Sequence, residues 1–185
     1  MPPTLREQNL ARTKKAIMKA AQVLFATRGY GEAGLRDIAE RARVNPALIT
    51  RYYGSKAELF ASALDAMFDV SVFTSAKREE FGEALSHAFC DTKASAALAV
   101  PMLVFAAGDT QARNSAMRIL QSKVAQPLAE WFGTEDATDR ATQVIVLVTG
   151  FYTYRLMLPL EPLKGNPTPG MRDWLARLLQ DIVDR

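Results

Sequence analysis

Apolar residues recur at helical spacing along nearly the whole chain. In RTKKAIMKAAQVLFATRGY, Ile17, Ala21, Leu24 and Phe25 follow the i, i+4, i+7, i+8 rhythm of a helix with one buried face. Lys14, Lys15, Lys19 and Arg28 lie off that stripe, and Gly29 supplies the stop. Short helices are predicted from about Leu35 to Arg41 and from Pro46 to Tyr53. SKAELFASALDAMFDVSVF opens the next, with Ser55 and Glu58 as an S-x-x-E capping box for its orphan amides. EEFGEALSHAFCDT and ASAALAVPMLVFAAG read as two helices, the second bent at Pro101. Residues 111–132 read as one or two helices ending at Gly133. ATQVIVLVTGFYTYRLML is apolar nearly all round, and the Pro/Gly-rich PLEPLKGNPTPG leads into a last helix. That helix sets Met171, Trp174, Leu175, Leu178, Leu179 and Ile182 on one stripe. No segment keeps the period-two alternation of a strand for more than a few residues, so the expected class is all-α.

Two domains are expected: residues 1–55, with a flexible lead-in over 1–10, and residues 56–185. A helix in a domain of this size needs one apolar face for its own core. The helix over 144–158 must therefore be buried centrally, or share its second face with another chain. Together with the last helix it suggests a homodimer interface at Val144, Val148, Trp174, Leu175, Leu178 and Ile182; burial wholly within one chain is the alternative.

Composition narrows the function. Of 185 residues, 49% are hydrophobic and 23% charged, as in ordinary soluble proteins. Cys90 is the single cysteine and His87 the single histidine, which excludes an internal disulfide and disfavours a histidine/thiolate metal site. A cytoplasmic protein without metal or cofactor is expected. MPPTLREQNLARTKK has no apolar signal-peptide core, and VIVLVTGFYTYRLMLPL is interrupted by Arg155, so no membrane partner is expected. Charge is uneven: residues 1–60 carry 11 Lys/Arg against 5 Asp/Glu, and residues 61–185 carry 12 against 15. A basic first third favours a nucleic-acid partner there, although a merely solvated basic face has the same charge.

Residues 35–53 fit a helix-turn-helix. Leu35, Ile38 and Ala39 form the inner face of the first short helix, and small Ala39 permits a close crossing. Val44 plugs the turn. Asn45 is a good N-cap, and Pro46 suits the first helical position, where its missing N–H costs nothing. The second helix spans roughly 12 Å, close to the width of the DNA major groove. On a helical wheel Ile49 and Tyr53 point inward, with Leu48 or Tyr52 flanking, while Ala47, Thr50 and Arg51 point outward. Arg36 can reach the same groove and donate two hydrogen bonds to a guanine edge. Thr50, Tyr52 and Lys56 flank the reading face with phosphate-holding donors.

The elements LFATRGY, LRDIAERA, VNPALITRYY and GSKAEL, in uninterrupted order over about 45 residues, resemble the N-terminal domain of the TetR/AcrR family of transcriptional regulators. The resemblance implies a three-helix DNA-binding head, a divergent helical C-terminal domain that binds a small-molecule effector, and a homodimer joined by a four-helix bundle. It also implies a repressor released from a pseudo-palindromic double-stranded operator by its ligand. The helix that starts at Ser55 would swing like a pendulum to carry the signal. The chain departs from the family pattern in places. Ala33-Gly34 stands where the family has a capping Thr or Ser, and Arg43 replaces the turn glycine and can add a phosphate contact. Leu48 replaces a threonine, Thr50 a tyrosine and Tyr52 a histidine.

The resemblance also leads one to expect a mainly apolar and aromatic pocket. Met102, Phe105, Trp131, Phe151 and Tyr154 are candidate linings, with Phe132, Tyr152 and Met157 beside them. Arg155 is a candidate anchor for an anionic ligand, or else a partner for a carboxylate across the dimer. Each of these apolar positions equally suits plain core. His87 and Cys90, at i and i+3, could form a thiolate–imidazole pair. No oxyanion loop, phosphate cradle or carboxylate pair accompanies them, so no enzyme is expected.

Overall fold

The computed structural model describes residues 3–90 and 96–185, and every regular element among them is a helix. The helix ends predicted within 91–95 lie outside the described residues. The chain divides into two compact units, one formed by residues 1–66 with 102–117, the other by 67–101 with 118–185.

In the first unit, helix α1 runs over Leu5–Glu32, with a kink at Gly29. Its start lies within the stretch expected to be a flexible lead-in. Thr4 accepts from the Glu7 amide, and Glu7 returns the contact to the Thr4 amide, a capping box that the sequence reading missed. Those hydrogen bonds from Thr4 hold the Glu7 carboxyl below its usual range. Ile17, Ala21, Leu24 and Phe25 face the core, as their spacing predicts. Buried with them in this unit are Ile38 and Ala39 of α2 (Leu35–Ala42), Ile49 of α3 (Pro46–Tyr53), and Leu59, Phe60, Ala63 and Leu64 of α4 (Lys56–Asp65). Phe25, Tyr30 and Phe60 close into an aromatic triangle with centroids 5.2–6.1 Å apart.

The α2–α3 turn answers how a non-glycine residue replaces the expected glycine. Arg43 adopts the left-handed conformation, φ 56° and ψ 46°. Its amide donates to the Glu40 carbonyl at 3.0 Å, and the Val44 amide donates to the Ala39 carbonyl at 3.0 Å. These two bonds make a Schellman motif, which satisfies the last carbonyls of α2 and redirects the chain into α3. Arg43 therefore bears a strain of about 1 kcal/mol that glycine would not.

Helix α4 is shorter than the sequence predicts. It ends at Asp65, and the short α5 (Ser71–Thr74) follows, with the Asp69 carboxylate accepting from the Ser71 amide at 2.9 Å. Later in the chain come α6 (Phe81–Cys90), α7 (Ala96–Ala106, containing Pro101) and α8 (Thr110–Leu120). A π-helical turn over Gln121–Ala125 leads into α9 (Gln126–Phe132), which ends at left-handed Gly133. Helix α10 (Ala137–Tyr152) runs into a second π turn, Thr153–Met157, and α11 (Pro169–Asp184) completes the chain.

The core of the second unit joins Phe81, Leu85 and Phe89 to Leu128, Phe132, Tyr152, Leu175 and Leu179. Helices α6 and α11 approach so closely that a Cβ on Gly82 would strike the Ala176 carbonyl oxygen. The Gly82 amide donates to Gln180 Oε1 at 3.0 Å, and Ser86 Oγ donates to the Arg172 carbonyl at 2.9 Å. Three arginines terminate helices. Arg78 donates to the Trp131 and Phe132 carbonyls, Arg140 to those of Ile182 and Val183, and Arg155 to those of Phe89 and Cys90. Each places a cation where orphan carbonyls and the helix dipole favour one.

This packing bears on several expectations. Val144, Val148, Leu175 and Ile182 lie in the chain's own core, the alternative that the sequence left open for them. Trp174, 38% exposed, and half-buried Leu178 keep part of their surface outside, as does Val146 at 66%. Arg155 is 3% exposed and its donors go to backbone carbonyls, including that of Gly165. Among the pocket candidates, Met102 and Phe105 belong to the first unit, where Phe105 packs against Gly29. Trp131 stacks on Phe81 under the Arg78 guanidinium, Phe151 is core, and Tyr154 is surface. Cys90 is buried, and that burial pushes its thiol up, whereas His87 is exposed, so the two form no dyad.

Two stability measurements check these readings. Gly82→Ala should destabilise by about 1–3 kcal/mol in chemical denaturation, towards the upper end because the atom met is backbone. Arg43→Gly should stabilise by about 0.5–1 kcal/mol; an unchanged or lower midpoint contradicts strain at the turn.

Candidate nucleic-acid interface

Helix α3 has only eight residues, so its neighbours must hold it in place. Asn45 Oδ1 accepts from the Ala47 amide at 2.9 Å, and Pro46 follows at the first helical position. Ile49 is fully buried beneath the helix. At the far end the Tyr53 hydroxyl donates to the Lys14 carbonyl of α1 at 3.0 Å, and burial pushes the Tyr53 phenol up. Gly54, φ 77° and ψ −116°, ends the helix in a conformation that side chains rarely adopt. Ser55 and Glu58 then cap α4 as their spacing predicts: the Ser55 amide and hydroxyl donate to Glu58 Oε2 at 2.7 and 2.8 Å. Those bonds hold the Glu58 carboxyl below its usual range.

The opposite face of α3 is open. Ala47, Thr50 and Arg51 are exposed, and Leu48 and Tyr52 are half-buried at its flanks. Arg36 is exposed in the first turn of α2, whose start is capped by the Gly34 amide donating to Asp37 Oδ2 at 3.2 Å. Asp37 also pairs with Arg28 at 3.6 Å. Exposed Arg43 stands at the turn.

Lys56 departs from the expectation of a free phosphate donor. It is half-buried, with Nζ donating to the Gly31 carbonyl at 3.2 Å and lying 4.6 Å from the Tyr30 ring centroid. A cation in the first turn of a helix opposes the dipole, and the carbonyl and ring offset that cost. Lys56 thus ties α4 to the end of α1. Sequence reasoning missed Lys14, whose Nζ lies 5.7 Å from the Tyr52 ring centroid beside the reading face. Its only signal was that it lies off the apolar stripe of α1.

Comparison with known proteins identifies the family. Residues 17–63 match the tetR family of bacterial regulatory proteins, and residues 79–183 match the tetracyclin repressor-like C-terminal domain. The HTH-type transcriptional repressor Rv3405c of Mycobacterium tuberculosis is 44% identical over 63 residues, 34% of this chain and 31% of the relative. The HTH-type transcriptional repressor SCO4008 of Streptomyces coelicolor is 46% identical over 61 residues, 32% of each. These matches thus span about a third of the curated relatives' length. Among solved structures, a TetR-family regulator of Streptomyces coelicolor is 27% identical, with TM-score 0.56 over 95% of this chain and 96% of that one. The fatty acid degradation regulator FadR of Bacillus halodurans shares the fold, at TM-score 0.67 and 16% identity over 91% and 94%. With both its head and its C-terminal part matched in order, the chain belongs to the TetR family of bacterial regulatory proteins.

Proposed function

We propose that the chain is a cytoplasmic transcriptional regulator, a repressor that lays α3 in the major groove of duplex DNA. The observation that carries this reading is the α3 surface: Ala47, Thr50 and Arg51 exposed on a short helix pinned at both ends, with exposed Arg36 nearby. Small Ala47 permits close approach to base edges, and the two arginines can each donate in pairs to guanine. Thr50, Tyr52 and Arg43 supply backbone contacts that fix register. Residues 1–55 read DNA in this scheme, and residues 56–185 bind a small-molecule effector and a second copy of the chain. Two copies would present two α3 helices to successive major grooves of a pseudo-palindromic operator. Trp174, Leu178 and Val146, left partly outside the core, suit the contact between copies. The effector would release DNA by binding better to the arrangement of heads that does not fit it.

A gel-shift titration tests this, with DNA upstream of the chain's own gene as probe and random DNA as control. Tight, salt-sensitive binding to the first probe is expected. Arg36→Ala and Arg51→Ala should each cost about 1–3 kcal/mol on it and narrow the gap to random DNA. Equal affinity of the unaltered chain for both probes sinks the reading.

A further inference from the structure

The head carries a second cationic surface away from the exposed face of α3. An open groove of about 430 Å³ between α1 and α2 is lined by Lys19, Arg41 and Arg43 over a floor of Ala16, Ala20 and Ala42. Among the described residues no carboxylate lines it. On the other side of Arg41 and Arg43 a neighbouring groove holds Leu24, Arg28, Asp37 and Glu40, and there Asp37 is paired with Arg28. Lys19, Arg41 and Arg43 are all exposed, and among the described residues none of their side chains makes an ion pair or hydrogen bond. Three other cations of the head are engaged, Arg28 by Asp37, Lys14 by the Tyr52 ring and Lys56 by the Gly31 carbonyl, while Arg36 and Arg51 stay exposed by the α3 surface.

Three uncommitted cations line one open groove over a floor of methyl groups, a surface that suits an anion. Their mutual repulsion falls when such an anion arrives. Arg43 adds a second, independent sign. It holds a strained left-handed backbone conformation where glycine would be easier, and strain of this kind tends to persist where a side chain serves a purpose. Its position also selects among anions. Arg43 lies two residues before Asn45, so it sits within roughly 7 Å of chain from the start of α3. A duplex engaged by α3 brings a row of phosphates to its surroundings, which suits a cationic row better than a single small anion does.

We propose that the groove at Lys19, Arg41 and Arg43 is a phosphate site that grips the sugar–phosphate backbone of DNA beside the segment met by α3. This rests on the DNA-binding reading above. The site carries no sequence information; it adds affinity and fixes the head's orientation on the duplex.

Anisotropy titrations of the full chain with a 30-base-pair random duplex, from about 50 to 200 mM salt, test it. The variant is Lys19→Gln/Arg41→Gln, and Arg113→Gln, an exposed cation on α8, is the control. The double variant should lower the salt slope by about 0.9 per lost contact, hence by roughly 1.8, and weaken binding tenfold or more at 100 mM; the control should match the unaltered chain. Unaltered binding with an unchanged slope in the variant overturns the groove alone. Absence of any DNA binding by the unaltered chain overturns the DNA reading itself. A third arm titrates inorganic phosphate: saturation at Lys19 and Arg41 without displacement of DNA assigns the groove to a free anion and overturns the proposal.

Discussion

An eight-residue helix cannot hold itself together in water, and the surface proposed to read DNA is built on one. Nucleating a helical turn is unfavourable, and so short a segment gains too few hydrogen bonds to offset it. Everything about the head follows from supplying the missing order from outside. Asn45 closes the front of α3, Ile49 sinks its middle into the core, and Tyr53 bolts its end to the backbone of α1. The turn before it is fixed by two backbone bonds and the turn after it by the Ser55–Glu58 cap. The outward face is thereby relieved of any structural duty. Ala47, Thr50 and Arg51 can be chosen for what they touch outside the protein, which is how a common scaffold comes to carry different recognition surfaces.

The head was largely legible in the sequence because its signals are local. Apolar spacing located α1, Asn45-Pro46 opened α3, and Ser55-x-x-Glu58 opened α4. Each is a statement about residues within one or two turns. The side chains hardest to place are those whose partners lie far along the chain. Lys56 looked like a phosphate donor, but its ammonium answers to Gly31 and Tyr30. Arg155 looked like an anion anchor because an arginine in an apolar helix needs some acceptor. That the acceptors are the last carbonyls of α6 is a matter of tertiary placement. Val144, Val148, Leu175 and Ile182 show a different ambiguity. An apolar stripe records that a face is buried, not whether its own chain or a second one buries it.

Arginine at helix ends is the recurring device of the second unit. Arg78, Arg140 and Arg155 each reach the terminus of a helix distant in sequence and satisfy its last carbonyls. A guanidinium presents several donors in a rigid fork, so one side chain can close two carbonyls at once. Together with the amide of Gly82 on Gln180, these bonds make the unit a set of helices whose ends are tied to their neighbours.

The contact of α6 with α11 also sets an order of events. Gly82 and Gln180 are separated by 98 residues, and their helices come backbone to backbone. Closing so long a stretch is entropically slow and yields nothing until both partners exist. During synthesis, then, α6, α9 and α10 can begin to pack on one another, while the face of α6 that meets α11 stays open until that helix has emerged. In that interval the second unit's nascent surface is most exposed to chaperones and to misassembly.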